Sequence, residues 1–301
     1  MNYEQALDVF FQPPPPGAPL PESVTHGRPA RRLRDAYEPI GMHAVWSRLT
    51  NDRQAQLGLD FLTGYVWGRS SVLGEPLPAV VVSAFAVFEP GLITNLYEEA
   101  RGKVGRAELL EARIAATTES LRAVLGDPDV TGVVSVLRRG IDAADGTGRP
   151  LFSGLASMPW PEHPVGQLWR ACDILREHRG DSHVAACVAA GLNGIEMNIV
   201  TELYLGMPLG AYSATRAWPE EATNAAIERL RRDKILEGDK LSDQGRQMRD
   251  EIEERTDDAQ QSIVDAIGAD LDATVDQLNA WSEKCVQAKA FPPDAYKRAA
   301  G

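Results

Sequence analysis

Residues 175–184 read LREHRGDSHV. Two of the chain's five histidines, His178 and His183, stand there among charges, between two apolar helical patterns. The reading of Gly180 decides the fold. As a left-handed residue it ends a helix. Arg176, His178 and Arg179 then lie in the last turn, where positive charge opposes the dipole. Asp181 or Ser182 caps the next helix, whose first turn holds His183. The expectation is a helix corner, which needs no chemistry to explain it. The same corner has a chemical reading. Two imidazoles, the carboxylates of Glu177 and Asp181, and Arg179 would converge on a pocket. Histidine serves as acid or base near neutral pH, so His178, His183 and Asp181 are the catalytic candidates. Arg179 would clamp a ligand carboxylate or phosphate. Metal chemistry fits less well, because the histidines are five apart and have no third ligand in register. No metal or other cofactor is expected.

Outward from this stretch the pattern stays helical. RAELLEARIAATTESLRAVLG (106–126) puts Leu109, Leu110, Ile114, Leu121, Val124 and Leu125 near one face. QLWRACDILREH (167–178) and EEATNAAIERLRRDKIL (220–236) do likewise. AVVVSAFAVF (79–88) could be a strand, but Pro78 suits a first helical turn, and helix is the reading taken. QPPPPGAPLP (12–21) points to polyproline II, within an arm over 1–30 that docks through Phe10 and Phe11. DGTGRPLFSGLASMPWPEHP (145–164) is the expected linker.

The halves look alike. Residues 58–77 begin GL and end LGEPL; residues 191–209 begin GL and end LGMPL. Gly126 and Gly268 each follow an amphipathic helix and precede another. Duplication of a module of about 110–130 residues, paired about a pseudo-two-fold axis, accounts for this. Chance likeness between helical stretches is the alternative.

Length and charge narrow the function classes. The chain has 301 residues, is 44% hydrophobic and carries a formal charge of −12, so nucleic acid is a poor default partner. No apolar run reaches the roughly 18 residues of a membrane span. MNYEQALDVF lacks the marks of a secretion signal. Three widely spaced cysteines, Cys172, Cys187 and Cys285, fit buried thiols in a cytoplasmic protein. No phosphate loop, dinucleotide fingerprint, nucleophile elbow or zincin motif is present.

Residues 191–258 resemble a winged-helix domain of the multiple-antibiotic-resistance regulator (MarR) type. NGIEMNIVTELYLG supplies one helix, and WPEEATNAAIERLRRDKIL the next. LSDQG opens a long acidic helix. Two departures stand out. The wing is only EGDK between Leu236 and Leu241, with no ribbon expected, and the connection MPLGAYSATRAW (207–218) is longer than a tight turn. More widely, the chain resembles a bacterial helix-turn-helix family of about this length. The carrying stretches are LREHRGDSHVAACVAAGL (175–192), GRPLFSGLASMPWP (148–161) and TRAWPEEATNAAIERLRRDKIL (215–236).

The expected fold is all-α with minor β: two tandem winged-helix-like domains, at 31–145 and 165–301, joined by a linker at 146–164. The leading expectation for function is binding of a small, largely apolar molecule between the halves, by a monomer or homodimer. Trp160, Trp169, Glu177, His178, Arg179, Asp181, His183, Arg69 and Arg216 are the lining candidates. Arg69 and Arg216 could instead be buried partners of Glu89 or Glu196. An enzyme using His178 and His183 on a secondary metabolite is one alternative. A DNA-binding regulator using Arg229, Arg231, Arg232 and Lys234 is the other, although Glu228, Asp233 and Glu237 dilute that patch.

Overall fold

Pro164 opens a helix that runs to Ala189 without a break. The structure is a computed structural model that describes residues 1–12, 27–294, 296 and 298. It places Gly180 inside this 26-residue helix, so the expected corner is corrected to continuous helix. A mid-helix glycine costs about 1 kcal/mol. Tertiary burial outweighs that here, because Leu175, Glu177, His178, Arg179, Asp181 and Ser182 are all buried. The charged run is an internal network rather than two solvated helix ends.

The chain begins with α1 (Tyr3–Phe10), whose following turn packs Phe10 and Phe11 on Trp46. The polyproline II expectation for 12–21 lies, from residue 13 on, outside the described residues. There follow α2 (Pro29–Gly41), α3 (His43–Trp46) and α4 (Arg48–Gln56). Next come α5 (Phe61–Ser70), α6 (Pro78–Phe85), α7 (Pro90–Lys103), α8 (Arg106–Leu125) and α9 (Thr131–Asp142). The expected linker contains α10 (Pro150–Ala156), with Leu151, Phe152 and Leu155 buried, so it is packed rather than free. The long helix is α11 (Pro164–Ala189). After it come α12 (Gly194–Tyr204), a 3-10 turn at Ser213–Arg216, and α13 (Glu220–Arg232). A ribbon of β1 (Leu236–Glu237) and β2 (Lys240–Leu241) leads to α14 (Asp243–Asp258), α15 (Gln261–Ile267) and α16 (Leu271–Gln287).

The stretch expected as a wing without a ribbon therefore does carry two paired strands, against expectation. Leu236 pairs Leu241 and Glu237 pairs Lys240. Four residues suffice because Gly238 takes φ 61° at the turn, and the buried Leu236 anchors the first strand.

Three apolar clusters organise the molecule. One joins α5 to α7 around Trp67, Phe85 and Tyr97. A second joins the end of α11, α12, α13, the ribbon and α14 around Ile199, Leu230 and Ile252. The third, between them, runs through α2, α9, α10, the first half of α11, α15 and α16. At its centre α2 crosses α11 closely: a Cβ on Gly41 would lie 3.2 Å from the Cys172 backbone.

The similar sequence stretches adopt similar local forms. Gly58 and Gly191 take φ 80° and 84°. The leucine after each is buried, and Asp60 and Asn193 then cap α5 and α12 with capping boxes. Packing also runs in matched pairs: α9 on α11 and α16 on α2, α4 on α8 and α11 on α14. Among the described residues, no single helix is long and apolar enough to cross a membrane. All three cysteines are buried free thiols.

His43 shows what burial does to a titrating group here. It is fully buried, with Nε2 2.9 Å from Ser120 Oγ and no partner at Nδ1. Burial alone pushes its imidazole down to about 3. The unfolded chain then binds this proton first, so stability falls as pH drops from about 6.5 towards 3, by about 1.4 kcal/mol per pH unit for this site. Urea midpoints of wild type and His43→Gln, measured from pH 7 to 4.5, should diverge by that slope. Parallel curves would contradict it.

Candidate functional site

A cavity of about 730 Å³ lies between the two outer clusters. The capped start of α5 directs Phe61, Leu62, Tyr65 and Arg69 onto it, and α12 presents Met197, Asn198 and Thr201 from the other side. Met42, Val45 and Trp46 come from the end of α2 and from α3. Arg176, Gly180, His183 and Val184 come from the middle of α11. Phe85 and Phe88 follow α6; Ala211, Tyr212, Thr215 and Arg216 come from the long connection after α12. Val9 and Phe10 of α1 and the Phe291–Asp294 segment complete the wall. The wall is aromatic and apolar, with a few polar groups, which is the make-up of a small-molecule site. Rings lie edge to face at Tyr65–Phe85, with centroids 5.8 Å apart. Asn198 donates to Val87 O at 2.7 Å, while its Oδ1 is buried without a partner.

Of the residues expected to line a pocket, Arg69, Arg216 and His183 line this cavity, and Arg179 lines a recess beside it. Arg69 is held by Glu177 through two bonds of 2.8 and 2.9 Å, not by Glu89 or Glu196. Arg216 lies over the Phe88 and Tyr212 rings, at 4.7 and 4.2 Å. His183 Nδ1 is 3.3 Å from Thr256 Oγ1; burial, then Arg249, pushes its imidazole down to about 3.

The others serve elsewhere. Trp169 is fully buried in the central cluster, bonded to Gly41 O at 3.2 Å. Trp160 packs at the edge of that cluster under Arg138, 3.8 Å from its ring centroid. His178 faces the other way from His183: it lies 3.0 Å from Gln260 Oε1 and 3.2 Å from Asp145 O, edge-on to Phe152. Asp181 accepts from Phe152 N at 3.0 Å, and burial raises its carboxyl to about 6. The two imidazoles thus do not share one pocket, and the catalytic trio of His178, His183 and Asp181 is not assembled. The reason is the continuous helix: residues 178 and 181 point to α10, whereas 176, 180 and 183 point to the cavity.

Beside the cavity is a recess of about 70 Å³, into which Arg31, Arg34, Arg69, Arg176, Arg179 and Arg249 project with Glu38 and Glu253. Arg179 binds Asp257 at 2.7 Å and Glu253 at 2.9 Å, and Arg249 binds Glu253 at 2.6 Å. Burial acts to raise the Glu253 carboxyl, but Arg249 and Arg179 outweigh it and hold it well below the usual range. Glu177 is held down to about 2 in the same way, by Arg69 and Arg176 against burial.

Sequence reasoning missed Phe61, Tyr65, Phe85 and Phe88 of the aromatic wall. The available signal was the likeness of two sequence stretches. GL…LGEPL and GL…LGMPL precede and follow α5 and α12, whose inner faces bound the cavity together with Gly180 and His183.

The DNA-binding candidates sit on α13 and the turn after it. Arg229 pairs with the buried Glu196 at 3.2 Å and also meets Asp233. Arg231 pairs with Glu228 at 2.7 Å and with Asp239 at 2.9 Å. Arg232 and Lys234 follow on the same solvent-facing turn.

A family model described as a helix-turn-helix family matches residues 30–292. No curated protein and no solved structure matches the chain.

Proposed function

We propose that this chain, which belongs to the helix-turn-helix family, binds a small, largely apolar organic molecule in the cavity between its two outer helical units. The observation that carries this reading is the 730 Å³ space walled by Trp46, Phe61, Tyr65, Phe85, Phe88 and Tyr212. A cavity of that size and lining takes a drug-sized ligand. The reading includes an internal duplication, in which two winged-helix-like units, α5–α7 and α12–α13 with the ribbon, sit on a shared helical centre. The twin glycines, the twin capping boxes and the matched helix pairs support it. On this view the cavity lies where a two-fold axis would pass, and sensing or sequestration of its occupant is the biological role.

The test is a titration with N-phenyl-1-naphthylamine, a neutral apolar dye whose emission rises in dry surroundings. Saturable enhancement at one dye per chain is expected. Weak, non-saturating enhancement would count against the cavity.

The family match also keeps DNA binding as a second reading, through α12, α13 and the ribbon. Residues 220–241 carry six carboxylates against five Lys or Arg, a balance of −1. With Arg229 and Arg231 engaged in internal ion pairs, little positive surface is left to displace counterions from a duplex. In a gel shift at 50 mM salt we expect no retention of random-sequence duplex; retention that fades steeply with salt would favour this second reading.

A further inference from the structure

The cavity and the arginine recess adjoin: Glu38, Arg69, Arg176, Gly180 and His183 line both. Six guanidinium groups project into the recess. Among the described residues, Asp35, Glu38, Glu177, Glu253 and Asp257 pair with them. Arg249 alone among the six keeps two donors unmade. Arg249 is 3% exposed, and Glu253 engages only its Nη2, while its Nε and Nη1 are buried without partners. Leaving such donors unmade costs about 1–3 kcal/mol, more when charged.

Resting on the cavity reading above, we infer that the occupant is an amphipathic organic anion, its apolar body among the aromatic rings and its carboxylate head group in the arginine recess. A carboxylate matches a guanidinium fork in shape as well as charge. Glu38 Oε2, also buried and unpartnered, needs a donor. A water carried in with the head group supplies it, and the 70 Å³ recess has room for both, since a water needs about 10–15 Å³. The space beside Gly180, which lines both the cavity and the recess, is open: a Cβ there would meet only Glu177 Oε2, at 3.9 Å. His183, neutral at physiological pH, stands at the mouth without adding a charge.

The experiment compares 1-pyrenebutyrate with 1-pyrenebutanol, which share one apolar body and differ in head group. In the wild-type chain the anion should bind at least about 10-fold more tightly, which is about 1.4 kcal/mol. Arg249→Met should bring the two affinities together by weakening the butyrate and leaving the butanol unchanged; Arg249→Lys should keep part of the difference. Equal wild-type affinities would overturn the head-group inference while leaving the cavity reading intact. Failure of both probes to bind would remove the cavity reading, and this inference with it. If Arg249→Met does not fold, the wild-type ratio decides alone.

Discussion

Trp169→Ala should lower the stability of the chain by about 3–5 kcal/mol, the usual cost of truncating a large buried aromatic. Trp169 sits in the middle of α11 with no exposed surface. Its ring fills the space beside the α2–α11 crossing, and its Nε1 donates to Gly41 O at 3.2 Å. The guanidinium groups of Arg113 and Arg170 lie 5.1 and 5.6 Å from it. Alanine would open a void at the one place where Gly41 brings two backbones together, leave a buried carbonyl unpaired, and uncover two buried cations. Burial already pulls the Arg170 guanidinium down to about 10. A whole domain is stable by only about 5–15 kcal/mol, so the variant would stand near the edge of folding at 25 °C. Urea denaturation measures this as a large fall in midpoint at constant slope. A loss under about 1 kcal/mol would mean that the α2–α11 crossing is not the centre of the fold.

Thr201→Trp should abolish dye binding, by about 100-fold or more, which is about 2.8 kcal/mol. Thr201 is on the inner face of α12, beside Met197 and Asn198 and in the same wall as Tyr65 and Tyr212. Its side chain points into empty volume, so an added indole has space that a packed core would deny it. The melting temperature should hold or rise. A variant that still binds N-phenyl-1-naphthylamine at wild-type strength would place the dye elsewhere. The change acts by occupancy alone, because no hydrogen bond of the wall is removed, which separates it from the Arg249 variants aimed at the head group.

The sequence made the helices legible where one face was apolar and the other charged. Residues 106–125 and 220–232 are of that kind, and Pro78 correctly marked the start of a helix over an apolar, β-branched run. It misled at 175–184, because a charged run containing glycine looks the same whether its partners are water or other helices. The partners of Glu177 and Arg179 are Arg69 and Asp257, 108 and 78 residues away, and no local pattern shows them. Tryptophan was misread for a related reason. Trp169 recurs at helical spacing with Leu168 and Cys172, which is the mark of a core as much as of a pocket, and the core prevailed. The ribbon was hidden by its brevity, since a two-residue turn between two-residue strands leaves no alternating pattern to read.

The most direct test of a ligand held between the two units is photolabelling with a naphthalene that carries a diazirine, followed by mapping of the adducts. The account predicts that labels fall on the peptides of α5 and α12 together, around Phe61–Tyr65 and Met197–Thr201, and that unlabelled N-phenyl-1-naphthylamine suppresses them. Labels spread over exposed surface such as Leu77 and Val188, and indifferent to the competitor, would contradict it.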